Sequence, residues 1–357
     1  MKLLFHLGHP AHFHLFKNVI INLRANHNIY VVIKKKDILS DLLKMSGLKY
    51  FNILPKGRRD NIFSIALGQL IQNVKMYKLC LRLKPDILIG TSVATSHVGF
   101  ILRIPSINLN EDDADVVPFY SNLSYPFSTN ILAPLGCRMG RWSKGKVTFY
   151  NSYHELSYLH PDHFTPKVEI ANQYVNTKSP YFILRFAKLG AHHDKGVEGI
   201  SDAIAIKLIK IMDSYGRVYI TSERILNEEL EKHRIQINAL DMHHILAFAS
   251  MFVGDSQTMA AEAAMLGVPF IRFNDFVGRI SYLEELENKY GLGYGLNSTA
   301  VDSLYKTVRQ LINLPDRAPL FQERRKLMLA DKIDLSKLLV WLIERYPNSV
   351  KAYGQVT

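Results

Sequence analysis

Three histidines follow the first apolar segment of the chain, where a predicted strand gives way to a helix. The stretch "LLFHLGHPAHFHLFKN" (residues 3–18) carries His9, His12 and His14. A neutral imidazole can take up or release a proton near pH 7, and the start of a helix lowers the imidazole pKa. The spacing therefore predicts proton-transfer chemistry, with His12 as the base and with His9 and His14 orienting it or binding a substrate.

Simpler roles are compatible with the same three side chains. One histidine could cap the helix while another packs against Phe13 or Phe16. Three imidazoles so close together could also bind a metal ion, although no cysteine accompanies them. The pattern alone leaves these alternatives open.

The segment "MFVGDSQTMAAEAAMLGVPFIRF" (residues 251–273) predicts an anion site. An apolar strand ends at Gly254, Asp255 and Ser256 are good N-caps, and an alanine-rich helix follows. Backbone N–H groups at such a helix start favour a phosphate, and the helix dipole adds to the attraction. Glu262, about two turns into the helix, could accept hydrogen bonds from a ribose. An ordinary core helix with a solvated Glu262 is the alternative.

Other polar residues that follow predicted strands or line these helices extend the anion site. Arg185 ends a buried strand, and a guanidinium clamps phosphate with two parallel N–H groups better than a lysine does. An ion-pair role for Arg185 is the alternative. The predicted nucleotide-binding residues are Arg185, Ser222, Glu223, His243, Ser256, Thr258, Met259 and Glu262.

Acidic residues follow the strand predicted at 105–109, in the segment "INLNEDDADVVP". Carboxylates can act as general bases or stabilise a developing positive charge. We predict Asp112 as the catalytic member and Glu111 and Asp113 as residues that contact the substrate. A solvated acidic turn that caps the next helix is the alternative.

Short apolar segments rich in Val and Ile alternate with amphipathic stretches, which is typical of a parallel sheet covered by helices on both faces. The predicted strands are 2–7, 29–33, 49–53, 86–90, 105–109, 129–133, 146–149, 181–186, 217–221, 250–253 and 269–272. The predicted helices are 13–25, 61–83, 94–103, 200–214, 257–266, 279–289, 299–312 and 334–346.

This alternation breaks at a proline-containing segment near residues 160–180 and then restarts. We therefore predict two doubly wound α/β domains, at residues 1–165 and 166–357, with the helix at 334–346 able to pack on either. Ligands of open parallel sheets bind at the carboxyl ends of the strands. The motifs above all follow strands, so we expect them to line a cleft between the two domains.

Composition narrows the class of protein. The 357 residues carry a formal charge of +12, with an isoelectric point near 9.4. The chain lacks a long apolar run, a cleavable leader pattern and a zinc-finger or RNA-binding motif, so we predict a cytoplasmic protein that does not bind nucleic acid. The two cysteines, Cys80 and Cys137, fit a reducing compartment. The basic runs at 34–36 and 56–59 are typical of a solvated surface.

The motifs together resemble those of a known superfamily. "DSQTMAAEAAMLG" resembles the nucleotide-binding segment of GT-B enzymes in the UDP-N-acetylglucosamine 2-epimerase branch, with Gln257 and Thr258 in place of the two glycines. Over nearly its whole length the chain resembles the domain of unknown function 354 family, assigned to the same superfamily. That resemblance includes the segments "GHPAHFHLFKN", "YHELSYLHP", "LRF", "AHHDKG" and "GRISYLEELE".

The resemblance implies a GT-B enzyme that binds a nucleotide-sugar, with UDP as the expected nucleotide, and that needs no cofactor or metal. It adds His193 to the predicted catalytic residues, although Asp194 stands where the epimerases carry arginine. It favours a glycosyltransferase of bacterial surface glycans that acts on a glycan or lipid-linked acceptor. The basic charge would suit peripheral contact with an anionic membrane. A UDP-sugar 2-epimerase or hydrolase is the alternative, although the epimerases' His-x-Glu-Ala-Gly pattern is absent, and an inactive scaffold or ligand sensor is the second.

Overall fold

The computed structural model describes residues 1–34, 38–55, 62–187 and 198–353. The predicted catalytic residue His193 and the basic run at 56–59 lie outside these ranges. The chain forms two units, one of Met1–Tyr158 together with the segment from Ile333 onward, and one of Leu159–Lys332.

The first unit contains a parallel sheet. Its seven described strands are β1 (Lys2–Leu7), β2 (Asn28–Lys34), β3 (Tyr50–Leu54), β4 (Ile87–Gly90), β5 (Ser106–Leu109), β6 (Asn130–Pro134) and β7 (Val147–Tyr150). They lie in the order β3-β2-β1-β4-β5-β6-β7, so the direction of winding reverses between β1 and β4. Such a reversal opens a crevice at the carboxyl ends of the two central strands.

Helices cover both faces of this sheet. The helices of the first segment are α1 (Pro10–Leu23), α2 (Leu39–Met45), α3 (Ile62–Leu83), α4 (Val93–Leu102), α5 (Pro118–Ser124) and, at the unit boundary, α6 (Leu156–Leu159). Side chains alternate between the faces of a strand. Phe5 accordingly packs on Phe16 of α1, with ring centroids 5.5 Å apart. Leu4 packs with Met76 of α3 and Ala94 of α4 on the opposite face.

The second unit repeats the design with a smaller sheet. Its described strands are β8 (Tyr181–Phe186), β9 (Arg217–Ser222), β10 (Met251–Gly254), β11 (Phe270–Phe273) and β12 (Gly293–Leu296). They are parallel and lie in the order β12-β11-β10-β8-β9, with the reversal between β8 and β10. The prediction of two parallel α/β sheets is thus confirmed.

The helices of the second unit are α7 (Val168–Ala171), α8 (Asp202–Met212), α9 (Glu228–Glu231), α10 (Met242–Ala247), α11 (Gln257–Leu266), α12 (Ser281–Glu284), α13 (Val301–Ile312) and α14 (Arg317–Asp331). The chain then returns to the first unit through α15 (Leu335–Glu344) and α16 (Asn348–Tyr353). There α15 packs against α1.

The structure corrects several predicted boundaries. Helix α1 begins at Pro10 rather than at residue 13, because His9 caps it and proline is favoured at the first helical position. The helix predicted at 279–289 is a short α-helix, Ser281–Glu284, that continues into a turn of π-helix at Glu285–Lys289. Strand β12 was not predicted, since its sequence "GYGL" lacks the β-branched residues of the other strands. Within the described ranges, no helix is both long and apolar enough to cross a bilayer.

Candidate functional site

A buried histidine, His6, lies at the reversal point of the first sheet and was not among the residues predicted from the sequence. Its Nδ1 lies 2.5 Å from Ser92 Oγ, and Ser92 caps α4. Gly90 makes the approach of β4 to β1 possible, because its φ is +153° and a Cβ there would lie 2.5 Å from His6 O. The sequence signal for His6 was a polar residue inside the apolar strand "KLLFHL".

His9 and His12 each use Nδ1 to accept a backbone hydrogen bond. Ala11 N donates to His9 Nδ1 at 3.2 Å, and Gly8 N donates to His12 Nδ1 at 3.1 Å. An imidazole nitrogen that accepts an N–H carries no proton, so the proton of the neutral ring is on the other nitrogen. In its neutral form each ring therefore carries its proton on Nε2 and has no lone pair left to accept another proton.

This assignment bears on the predicted base. His12 can accept a proton only on a nitrogen with a free lone pair, and its Nδ1 lone pair is taken by Gly8 N. Burial, followed by the nearby His9 and Lys34, holds the pKa of His12 well below its ordinary value. A neutral His12 with its proton on Nε2 is suited to donating a hydrogen bond to a substrate oxygen.

His14 lies in the body of α1 rather than at its start. Its ring packs against Phe13 and Tyr158, with centroids 5.2 Å away in each case, and 8% of the residue is exposed. The packing role that the sequence left open describes His14 well. Its predicted contact with an acceptor stays a prediction that this burial does not favour.

A second group of titratable residues lies near the acidic loop that follows β5. His154 Nδ1 is 3.2 Å from Glu111 Oε2, and both residues are largely buried. Burial lowers the pKa of His154 to about 4, although Glu155 and Asp112 act in the opposite direction. His154 is therefore neutral at pH 7. The predicted residues Glu111 and Asp112 both lie near its ring.

Asp113 has a structural role. It is fully buried, its Oδ1 accepts from Arg138 N, and its Oδ2 lies 3.3 Å from Arg138 Nη2. These contacts fasten the acidic loop to the turn after β6. The predicted contact of Asp113 with a substrate stays untested, and the geometry favours the anchoring role. Asp112 is half-buried.

In the second unit, Asp255 spans the reversal point between β8 and β10. Its Oδ1 accepts from Ala187 N at 2.6 Å, and its backbone carbonyl accepts from Asn274 Nδ2 at 3.1 Å. Burial raises the pKa of Asp255 to about 6, although backbone hydrogen bonds and nearby arginines oppose the shift. Of the two N-cap residues predicted here, Ser256 does cap α11, whereas Asp255 closes the loop after β8.

The anion site that the sequence predicts would lie at the start of α11, which Ser256 caps. Ser256 Oγ accepts from Met259 N at 3.4 Å, and Gln257 Oε1 accepts from Arg272 Nη1 at 3.2 Å. Arg272 is fully buried and also pairs with Glu284 and Glu287. The first turn of α11 is thus held from the neighbouring strand β11. Thr258 is half-buried on this turn, and Met259 is buried.

Glu262 and His243 form a buried pair. His243 Nε2 lies 2.9 Å from Glu262 Oε1, and the two side chains are 5% and 7% exposed. Phe164 packs edge-on against His243. The structure thus brings together two predicted nucleotide-binding residues from α10 and α11, and it shows that Glu262 is not solvated.

Arg185 lies beside the start of α11, because it pairs with Gly254 in the register of β8 and β10. Its guanidinium makes an ion pair with Glu223, and its buried Nε has no hydrogen-bond partner among the described residues. Ser222 Oγ donates to Arg224 O at 2.7 Å and so shapes the turn after β9. The three predicted residues Arg185, Ser222 and Glu223 therefore lie at one edge of the sheet.

Comparison with known proteins identifies the fold. The chain is similar to the UDP-GlcNAc 2-epimerase from Neisseria meningitidis bound to UDP-GlcNAc, with TM-score 0.68, 16% identity and coverage of 97% and 100% of the two chains. It is similar to the epimerase from Methanocaldococcus jannaschii, with TM-score 0.64, 15% identity and coverage of 92% and 99%. The spinosyn rhamnosyltransferase SpnG, complexed with thymidine diphosphate, gives TM-score 0.62, 13% identity and coverage of 96% and 99%.

These similarities show that the protein has the GT-B fold, which nucleotide-sugar epimerases and glycosyltransferases share. No protein-family model matches the chain, so the resemblance to the domain of unknown function 354 family has no support from that comparison. No curated protein matches it either.

The buried titratable groups predict how stability depends on pH. Burial and Lys34 lower the pKa of His6 from 6.5 to about 3. Between these values the unfolded chain binds more protons than the native state, so stability rises with pH. His154 acts in the same direction, whereas Asp255 binds its proton in the native state and opposes them between pH 3.8 and about 6.

We therefore expect His6→Asn to reduce the loss of stability as the pH falls from 6.5 towards 4. Asparagine does not titrate, and its amide can still bond Ser92. Urea unfolding at a series of pH values measures the slope. The same slope in His6→Asn and the unchanged protein would contradict the assignment.

Proposed function

We propose that the protein is a nucleotide-sugar-dependent glycosyltransferase that uses a UDP-sugar, acts on a glycan or lipid-linked acceptor and serves bacterial surface glycan synthesis. The observation that carries the proposal is the start of α11, where Ser256 caps a buried, alanine-rich helix beside Arg185. Neighbours of the same fold are bound to UDP-GlcNAc and to thymidine diphosphate.

The second unit supplies the nucleotide side of this proposal. The first turn of a helix leaves backbone N–H groups without intrahelical partners, and these attract a phosphate. The guanidinium of Arg185 adds a positive charge at the same edge, with Glu223 holding it in place. His243 orients the buried carboxylate of Glu262, which we propose as the ribose contact.

The first unit supplies the acceptor side. His9 and His12 present Nε2–H donors from the junction of β1 and α1, so we assign them to hold acceptor or sugar oxygens. Removal of the acceptor hydroxyl proton then falls to a carboxylate, and Asp112 is the predicted catalytic carboxylate of this unit. The hydroxyl proton passes to Asp112, the new glycosidic bond forms, and the nucleotide diphosphate leaves with the electrons of the broken sugar–phosphate bond.

A UDP-sugar 2-epimerase is the second candidate, because the epimerase neighbours have higher TM-scores than SpnG. An epimerase removes and returns the proton at C2 of the sugar, and therefore needs carboxylates or imidazoles as acid and base. In this chain the segment after β5 reads "NEDDAD" and lacks the epimerase pattern. Asn108 and Asn110 are committed to bonds with Tyr120 and Tyr125.

Isotope exchange separates the two candidates. The protein is incubated in deuterium oxide with UDP-GlcNAc, with and without a lipid-linked glycan acceptor. A transferase leaves C2 unlabelled and releases UDP only when the acceptor is present. Deuterium at C2 without acceptor would establish the epimerase instead, and UDP-sugar binding with neither reaction would indicate a ligand sensor.

Arg185→Lys should weaken UDP binding by about tenfold, because lysine cannot make two parallel bonds to a phosphate. Titration calorimetry with UDP measures the change. Arg217→Lys is a matched control, because Arg217 is exposed at the opposite end of the same sheet. This variant should bind UDP with unchanged affinity. Equal affinities of Arg185→Lys and the unchanged protein would make Arg185 a structural partner of Glu223 only.

The two amide substitutions of His12 test whether its ring donates or accepts. Glutamine places an N–H donor near the position of Nε2, so His12→Gln should keep turnover within about tenfold. Asparagine can still accept from Gly8 N but has no donor near Nε2, so His12→Asn should lose about a hundredfold. Steady-state turnover measures both, with UDP affinity as the control. Equal, large losses in the two variants would restore His12 as the base.

A further inference from the structure

Helix α3 carries a stripe of exposed apolar side chains on its outer side. The exposed fractions are 84% for Phe63, 59% for Leu67, 58% for Leu70, 46% for Val74 and 51% for Leu81. At about 100° per residue, these five positions lie within about 60° of one another around the helix. We call them the α3 face. A row of large apolar side chains at such exposure is unusual for a soluble surface and marks an interaction site.

The α3 face is separate from the face that holds the helix on the sheet. Met76, Leu79 and Cys80 point the other way and are buried in the core against β1 and β4. The exposed stripe is therefore not needed for packing. The helix is thus apolar on two sides, and packing on the sheet accounts only for the apolar residues of the inner side.

The charged residues of α3 itself all have one sign. Between Phe63 and Arg82, every exposed residue of α3 is either apolar or basic, and the basic ones are Lys75, Lys78 and Arg82. The helix contains no aspartate or glutamate. Large apolar side chains with lysine and arginine beside them characterise a helix that lies in the surface of an anionic bilayer.

The neighbouring helices extend the surface. Phe100 and Ile101 of α4 are each 63% exposed, and Arg103 follows them. Asn73 of α3 donates to His97 Nδ1 at 2.9 Å, and His97 Nε2 donates to Leu123 O of α5 at 2.7 Å. These two bonds hold α3, α4 and α5 as one layer, so their exposed side chains form a continuous surface.

We propose that the α3 face docks the protein on a membrane surface rich in anionic lipid, with the apolar stripe inserted at the headgroup level and the basic residues on the phosphates. A second copy of the chain is a poorer occupant. Two such faces brought together would place like charges against each other without a carboxylate from α3 to pair them. The formal charge of +12 favours an anionic surface in the same way.

Vesicle co-sedimentation of the full chain tests the proposal without reference to enzyme activity. The probes are vesicles of phosphatidylglycerol with phosphatidylcholine and vesicles of phosphatidylcholine alone. We expect binding to the anionic vesicles, weakened by salt because exposed charges are screened beyond about 10 Å at 0.1 M. Equal binding to both vesicle types, or none to the anionic ones, would overturn the proposal.

The variants Leu67→Glu with Leu70→Glu should weaken binding to the anionic vesicles by at least about tenfold, since two apolar side chains no longer insert. Leu327→Glu is the matched control, because Leu327 is 67% exposed on α14 of the other unit. Thermal unfolding verifies that each variant is folded. A second pair, Lys75→Gln with Lys78→Gln, should lower binding mainly at low salt.

Unchanged binding of the double glutamate variant, or an equal loss in Leu327→Glu, would contradict the proposal. Sedimentation velocity gives a further contrary outcome. If the unchanged protein is a dimer that the double glutamate variant dissociates, and it does not bind vesicles, then the α3 face is a contact between copies.

Discussion

In each sheet one buried titratable side chain joins the two strands at which the order of strands reverses. His6 meets Ser92 between β1 and β4, and Asp255 accepts from Ala187 N between β8 and β10. The connections that follow two such strands diverge and leave backbone polar groups with no strand beside them, and burying those groups unpaired costs free energy. Both side chains adjoin a helix start, at α4 and α11. The positions of these two helix starts therefore depend on the two contacts.

Backbone hydrogen bonds also determine which nitrogen of each imidazole carries the proton. A carboxylate that accepted the Nδ1 proton of His9 or His12 would leave a free lone pair on Nε2, as in a catalytic triad. Both accept a backbone N–H of the β1–α1 junction instead. The same junction that shapes the loop thus fixes the donor character of both rings. A helix start with such rings is better suited to holding oxygen atoms than to removing protons from them.

The strands could be predicted because parallel strands covered on both faces are almost continuously apolar. The cap at Ser256 could also be predicted, because helix capping depends on local residue type and spacing. The partners of Glu262 and Asp113 could not be predicted from the sequence. His243 and Arg138 come from other segments of the chain, and only the fold brings them close. For the same reason, the sequence could place His12 at a helix start but could not say which nitrogen carries its proton.

Helix α3 shows where periodicity misleads. Its apolar residues recur at helical spacing, which ordinarily identifies the side that faces the core. Here that rule fits two sides at once, and Met76 and Leu79 rather than Leu67 and Leu70 are buried. The two sides differ in the charged residues beside them. Lysine and arginine border the exposed stripe, and α3 contains no aspartate or glutamate. An apolar stripe that binds another protein would be stabilised by charges of both signs at its edge. A uniformly basic edge instead complements a uniformly negative surface, such as an anionic membrane.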